Sequence, residues 1–193
     1  MPSGLVQRAL RYSNSFDCTY WVAYTRVEPL NQWRWTCAYR DREPKIAYFD
    51  DALNAAGGRR EVIPTRRRHE LLQEWRHVYA RWLYITTGKW TYRSYDWHVF
   101  SYKHAPAVPR DKAVITYASL SPPLRTVICP HDERLPALEI LDGLLPDFHN
   151  SGLDIYVWPD SLDWTMAFTH EDGWFGPYFS RREWMRCEAC GGE

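Results

Sequence analysis

Long hydrophobic runs are missing from this chain. No stretch approaches the roughly 18 apolar residues of a membrane span, and the opening MPSGLVQRALRYSNS has no apolar run of signal-peptide length. The expectation is a soluble, cytoplasmic protein without a membrane partner. Cysteine is scarce and irregularly spaced: Cys18, Cys37, Cys129, Cys187 and Cys190 are an odd number, which argues against a secreted disulfide framework and for reduced thiols. Lysine is rare as well, since 20 of the 24 cations are Arg, a bias that suits planar recognition of carboxylate or phosphate. GxxxxGK[ST], GxGxxG and GxSxG are all missing, so phosphate-loop and nucleophile-elbow chemistry have no local support. No segment carries a motif that specifies a reaction.

What the chain has in excess is aromatic surface, with 11 Trp and 13 Tyr among 193 residues. Such side chains serve cores and binding surfaces alike, because each joins a wide apolar area to a polar handle. The length suits one sizeable core, and the expected organisation is a single globular domain over 1–186 with a CxxC tail at 187–193. The formal charge is zero but uneven: residues 1–93 carry 16 Lys+Arg against 9 Asp+Glu, and residues 94–193 carry 8 against 15. That asymmetry fits either a basic face for phosphates or two halves that neutralise each other within one fold.

Residues 1–18 are polar and irregular. Thr19 to Val27 reads as a strand, and Trp33 to Tyr39 either pairs with it as a hairpin or forms an amphipathic helix from Asn31. Ile46 to Phe49 suggests a short strand before a helical segment ended by Gly57-Gly58. The clearest helix runs from Thr65, as N-cap, to Thr86, with Leu71, Trp75, Val78 and Trp82 on one stripe and Gly88 at its end. Ser94 to Tyr102 alternates like a strand, Arg110 to Leu120 suggests a helix, Leu124 to Cys129 a buried strand, and 132–148 a leucine-rich helix. Asp154 to Trp158 and Asp163 to Thr169 flank turn chemistry and predict an antiparallel hairpin, followed by a last strand at Tyr178 to Ser180. These elements predict an α+β domain with a mixed or antiparallel sheet, a C-terminal β-hairpin and one long amphipathic helix.

Three groups of residues carry candidate chemistry. Arg66, Arg67 and Arg68 crowd the positive end of a helix, a placement that favours an anion nearby, and Arg59 and Arg60 precede them. The bland alternative for this cluster is a solvated or ion-paired face. His170 and Glu171 close a predicted strand, where they could act as general base and partner or as metal ligands, with His98, Asp154 and Tyr156 able to converge on them if their strands pair. A hydrogen-bonded structural His fastening the Gly-Pro turn is the alternative. Cys187 and Cys190 have the spacing of half a zinc site, for which Cys129 with His131, Cys18 with Cys37, or another subunit would supply the remainder. The alternative is a mobile tail with reduced thiols, so no cofactor is expected, with zinc the one candidate.

Two stretches, DWHVFSY at Asp96 to Tyr102 and WT-x-x-x-THE with GPYF at Trp164 to Glu171 and Gly176 to Phe179, resemble an uncharacterised bacterial domain family with a WHxFS strand and a THE…GPYF segment. The resemblance covers the last half of the chain and implies a small bacterial or phage domain, without assigning a catalytic residue. The leading expectation is therefore a non-enzymatic interaction protein of the immunity or inhibitor kind, gripping a protein partner through aromatic and Arg side chains, Trp174 among them. Nucleic-acid binding through Arg59 to Arg68, and a metal-dependent or acid/base enzyme using His170 and Glu171, are the alternatives.

Overall fold

The computed structural model describes residues 8–13, 19–27, 32–39 and 43–186, with side chains for residues 45–185. The chain divides into two compact units, Met1–Pro44 and Lys45–Glu193. The first is a three-stranded antiparallel sheet in the order β1-β2-β3, with β1 at Arg8–Ser13, β2 at Thr19–Val27 and β3 at Gln32–Tyr39. The two expected strands therefore pair as a hairpin and the helical alternative for 33–39 falls away. The expectation of irregular chain up to residue 18 is corrected by β1, which lines up along β2 from Arg8↔Tyr24 to Ser13↔Thr19.

The second unit is built on a seven-stranded sheet in the order β4-β7-β6-β8-β9-β10-β5, with every neighbouring pair antiparallel. In chain order it contains α1 (Glu43–Ala56), β4 (Arg59–Val62), α2 (Thr65–Tyr79), α3 (Arg81–Thr87), α4 (His98–Ser101), β5 (Val108–Pro109), α5 (Asp111–Ala118), β6 (Arg125–Pro130), β7 (Leu138–Leu141), β8 (Ile155–Pro159), β9 (Trp164–Phe168), β10 (Tyr178–Arg181) and a 3₁₀ turn (Arg182–Arg186). The α+β class holds, and the expected C-terminal hairpin is β8–β9, registered Ile155↔Phe168 and Val157↔Met166.

Strict alternation along the central strands sends side chains to two different cores. Ile128, Ile155, Val157, Met166, Phe168 and Phe179 face one side, against Phe49 and Leu53 of α1 and Ala113 and Tyr117 of α5. Val127, Cys129, Tyr156, Trp158, Ala167 and Tyr178 face the other, against Trp75 and Tyr79 of α2, Leu83 of α3, and Val99 and Phe100 of α4. Each large side chain so buried contributes about 1.5–3 kcal/mol. These two helical layers bury Trp75, Trp97, Trp158 and Trp164 with Tyr79, Tyr95, Tyr117, Tyr156 and Tyr178.

Several local expectations are corrected. The long helix breaks after Tyr79, where Ala80 leaves helical geometry; α3 begins at Arg81, and Gly88 caps it in the left-handed region as expected. Thr65 is the first helical residue rather than the cap; Pro64 holds that position without a side-chain bond. Ile46 to Phe49 lies within α1, because Phe49, Leu53 and Ala56 recur at helical spacing and bury one stripe. Residues 94–102 form turns and the short α4 rather than a strand, and 132–148 carries β7 and loops rather than a helix.

Candidate functional site

The antiparallel register brings three strand ends together. Pro130 pairs with Ile155 and Ile155 with Phe168, so His131, Asp154 and His170 emerge at the same end of β6, β8 and β9. The His131 backbone N–H donates to the Asp154 carbonyl at 2.7 Å, which fixes that junction. Over it fold the turns that precede α4, and they place Tyr95 and Trp97 against the strand ends.

Asp154 is the hub. Its side chain is only 4% exposed, and its carboxylate accepts from Trp97 Nε1 at 2.9 Å, from the His170 backbone N–H at 3.2 Å and from His170 Nδ1 at 2.9 Å to each oxygen. A buried carboxylate is tolerated when donors surround it in this way. The Nδ1–H bond directs Nε2 of His170, 20% exposed, away from the interior; Glu171 Oε1 lies 3.9 Å from it. His98 is anchored similarly, with Nδ1 donating to the Tyr92 carbonyl at 2.9 Å. Burial pushes the His98 imidazole below its ordinary pKa, partly offset by that bond and by Glu171. The rings of His98, His131 and His170 lie 5.4, 4.7 and 5.1 Å from that of Tyr95, which gathers three imidazoles around one aromatic. Trp97 also receives the Tyr156 hydroxyl as acceptor for its backbone N–H, at 3.0 Å.

From this hub the chain runs into a tight turn, 169–177. Asp172 accepts from the Thr169 backbone and hydroxyl, both at 2.9 Å; Thr169 Oγ1 accepts from the Glu171 backbone; and the Trp174 and Phe175 amides donate to the Glu171 carbonyl at 3.0 and 3.1 Å. Arg110 reaches across to donate to the Trp174 carbonyl at 2.5 Å. Gly176 is required by the close approach, since a Cβ there would stand 2.3 Å from Thr169 Oγ1. Burial pushes the Asp172 carboxyl up to about 6, against the opposing effect of its Thr169 bonds. At the tip, Trp174 is 65% and Phe175 55% exposed.

The stretches DWHVFSY and THE…GPYF, about seventy residues apart, thus meet through Trp97, Asp154 and His170. The family described as Domain of unknown function (DUF4275) matches residues 71–179. The chain belongs to that family. The matched segment starts upstream of the two motif stretches, within α2, and ends at Phe179, so it spans the whole hub and turn. No curated protein and no solved structure matches the chain significantly.

The other sequence candidates are placed elsewhere. Arg66 pairs with Glu70, and Arg67 with Glu70 and Glu74, along the surface of α2. Arg68 turns inward and is buried, donating to the carbonyls of Leu135, at 3.1 Å, and Pro130, so it straps α2 to the end of β6. Arg59 and Arg60 lie on the exposed edge strand β4, where Arg59 meets Glu61 and Arg60 meets Asn54. Cys129 is a buried thiol that burial pushes up to about 11. Among the described residues no three His, Cys, Asp or Glu side chains are arranged to hold a metal ion. Cys18, Cys187 and Cys190, and the side chain of Cys37, lie outside the described residues. Sequence reasoning missed Asp172 and the bond from Trp97 to Asp154. Thr169-x-x-Asp172 was the available signal for the first, as a Thr and an Asp three apart exchange backbone bonds in tight turns; the second depends on a contact between distant segments.

Proposed function

We propose that the protein is a non-enzymatic interaction protein of bacterial or phage type, immunity- or inhibitor-like, that grips a protein partner with the 169–177 turn. The observation that carries this is the pair of adjacent large aromatics, Trp174 and Phe175, held out to solvent on a turn whose backbone is fixed at nearly every residue. Exposed Trp beside an Arg is the composition of binding hot spots, and a frame ordered beforehand spares the entropy of ordering it on binding. Trp75, Trp97, Trp158 and Trp164, by contrast, are buried. A second aromatic surface lies on α3, where Trp82 and Ile85 are exposed and Tyr84 stacks on Trp90 at 4.2 Å.

The test is affinity capture from the source cell with the intact chain, compared with Trp174→Ala/Phe175→Ala and with Trp82→Ala. A partner retained by the intact chain and by Trp82→Ala, but lost with the turn variant, supports the reading. Equal retention by the turn variant, or no retained partner at all, overturns it.

An acid/base role for the hub is favoured by a separate observation: a buried carboxylate orients His170 through Nδ1, which is how an imidazole is prepared to use Nε2 as a proton acceptor. The orienting group is Asp154, with Glu171 on the far side of the ring. Labelling by diethyl pyrocarbonate should then be faster at His170 than at His98 and should slow in Asp154→Asn; equal rates would remove this second reading. Nucleic-acid binding through Arg59 to Arg68 has less support, because Arg68 is internal and Arg66 and Arg67 are already paired.

A further inference from the structure

We propose that the β4 edge of the seven-stranded sheet is a dimerisation surface, on which a second copy of this chain lays its own β4 antiparallel about a two-fold axis. This goes beyond the recognition role of the 169–177 turn and does not rest on it.

The sheet ends differently on its two sides. β5 is two residues long, and its Pro109 has no N–H to offer a further strand. β4 is four residues long and all four are exposed, Val62 to 70%. Which of its groups face β7 follows from one bond: the Ile63 N–H donates to the Ala137 carbonyl at 2.9 Å, next to the registered pair Val62↔Leu138. Antiparallel pairs alternate between bonded and non-bonded, so Arg59 and Glu61 also exchange bonds with β7, while Arg60 and Val62 turn their N–H and C=O outward. Among the described residues those outward groups have no backbone partner. Such a row of open donors and acceptors is a template for another strand.

The side chains select the occupant. Arg59 and Glu61 stand on one face of β4, 3.2 Å apart, and a second β4 running antiparallel presents the same pair in reverse order. Outward residues can face only outward residues, so a two-fold axis must pass through residue 60, 61 or 62. At 62, Arg60 would meet Pro64, which has no N–H to exchange. At 61, Glu61 would meet Glu61 of the second copy, a like-charged pair directly opposite. At 60, the two Arg60 backbones exchange both bonds across the axis, and each Arg59 meets Glu61 of the other copy, so four side chains form a square of alternating charge. The Arg60 side chains are then the one like-charged pair, and each guanidinium is engaged by Asn54 Oδ1 of its own α1 at 2.9 Å. An edge that complements itself in this way fits the isologous contact of a two-fold dimer.

The strands β7, β6, β8 and β9 separate β4 from β10. A dimer through β4 therefore leaves the 169–177 turn of each copy open and carries both turns on one continuous sheet.

The test is sedimentation of the full chain from micromolar to millimolar concentration, at low and high salt. The expected result is a concentration-dependent rise in mass from one chain to two, weakened by salt. Arg60→Pro removes both central bonds of the dimer and none to β7, and should weaken association about tenfold or more with the thermal midpoint largely kept. Arg60→Ala keeps the N–H and relieves the like-charged pair, so it should associate at least as well as the parent. Arg59→Glu and Glu61→Arg should each weaken association about tenfold, and the double change Arg59→Glu/Glu61→Arg should restore it, because the square is rebuilt with its signs exchanged. A chain that stays monomeric throughout, a dimer indifferent to Arg60→Pro, one lost equally with Arg60→Ala, or a double charge variant no tighter than the single ones overturns the inference.

Discussion

The two faces of the seven-stranded sheet are built from different chemistry. Beneath α1 and α5 the sheet offers Ile, Val, Met and Phe, and hydrogen bonding is confined to exceptions such as the Tyr117 hydroxyl on the Pro146 carbonyl. Beneath α2, α3 and α4 it offers Tyr, Trp and Cys, and polar groups are matched one to one: Trp75 Nε1 with Thr165 Oγ1 at 2.8 Å, Tyr79 with the Leu162 carbonyl, Arg76 with Asp96, Trp97 with Asp154. The first face is held by volume, the second by pairing. Volume tolerates exchange among apolar residues, whereas a pair must be kept or removed as a unit. The hub and its turn lie at the end of the paired face, where side chains already have defined orientations.

Truncation on the apolar face should have the largest effect. Phe168→Ala removes a fully buried ring that packs edge-on against Tyr117 and Phe148, and chemical denaturation should show a loss of about 4 kcal/mol. Phe168→Leu should retain most of it. On the paired face, Asp96→Ala strands the Arg76 guanidinium in a partly buried site and should cost about 3 kcal/mol, while the double change Arg76→Met/Asp96→Leu should recover most of that loss. If the double variant is as unstable as the single one, the two faces do not differ in kind.

Smaller effects sharpen the contrast at the turn. Asp172→Asn keeps an acceptor for Thr169 but removes a carboxylate that the folded state prefers protonated. Because the folded carboxyl titrates at about 6 and the ordinary one at 3.8, its charge costs stability above that window and the cost fades as pH falls through it. The variant should be more stable by about 1 kcal/mol at about pH 8 and indistinguishable from the parent at about pH 4, by thermal melts across pH. Smallest of all, Arg66→Ala removes an exposed ion pair with Glu70 and should change stability by less than about 0.5 kcal/mol.

Those residues also show which parts of the structure could be read from sequence. The β8–β9 hairpin was legible because apolar strands flanked a short polar turn, and α5 because a helical pattern stopped at Pro122-Pro123. The segment 94–102 misled because Tyr95, Trp97 and Val99 are all buried, which mimics strand alternation, yet turns rather than a pleat bury them. The leucines of 132–148 imitated a helix while the chain between Pro136 and Pro146 folds as β7, buried at Leu138, Ile140 and Leu141. Strand β4 left no signal, since all four of its residues are exposed. At the site, His170 was visible as a strand-end residue, and Asp154 and His98 only as groups that strand pairing could bring near. Arg68 carried the opposite lesson: its place in a basic run suggested the surface, and its geometry makes it an interior strap.

The turn is closed on itself by Thr169, Asp172 and Gly176 and clamped from outside by Arg110, through bonds to backbone atoms and short side chains. Positions 169, 172 and 176 hold the frame, and 174 and 175 present the exposed rings. Under the recognition role proposed for the turn, two adjacent codons would be the place where a lineage, or an engineer with a two-codon library, changes the partner without touching the frame.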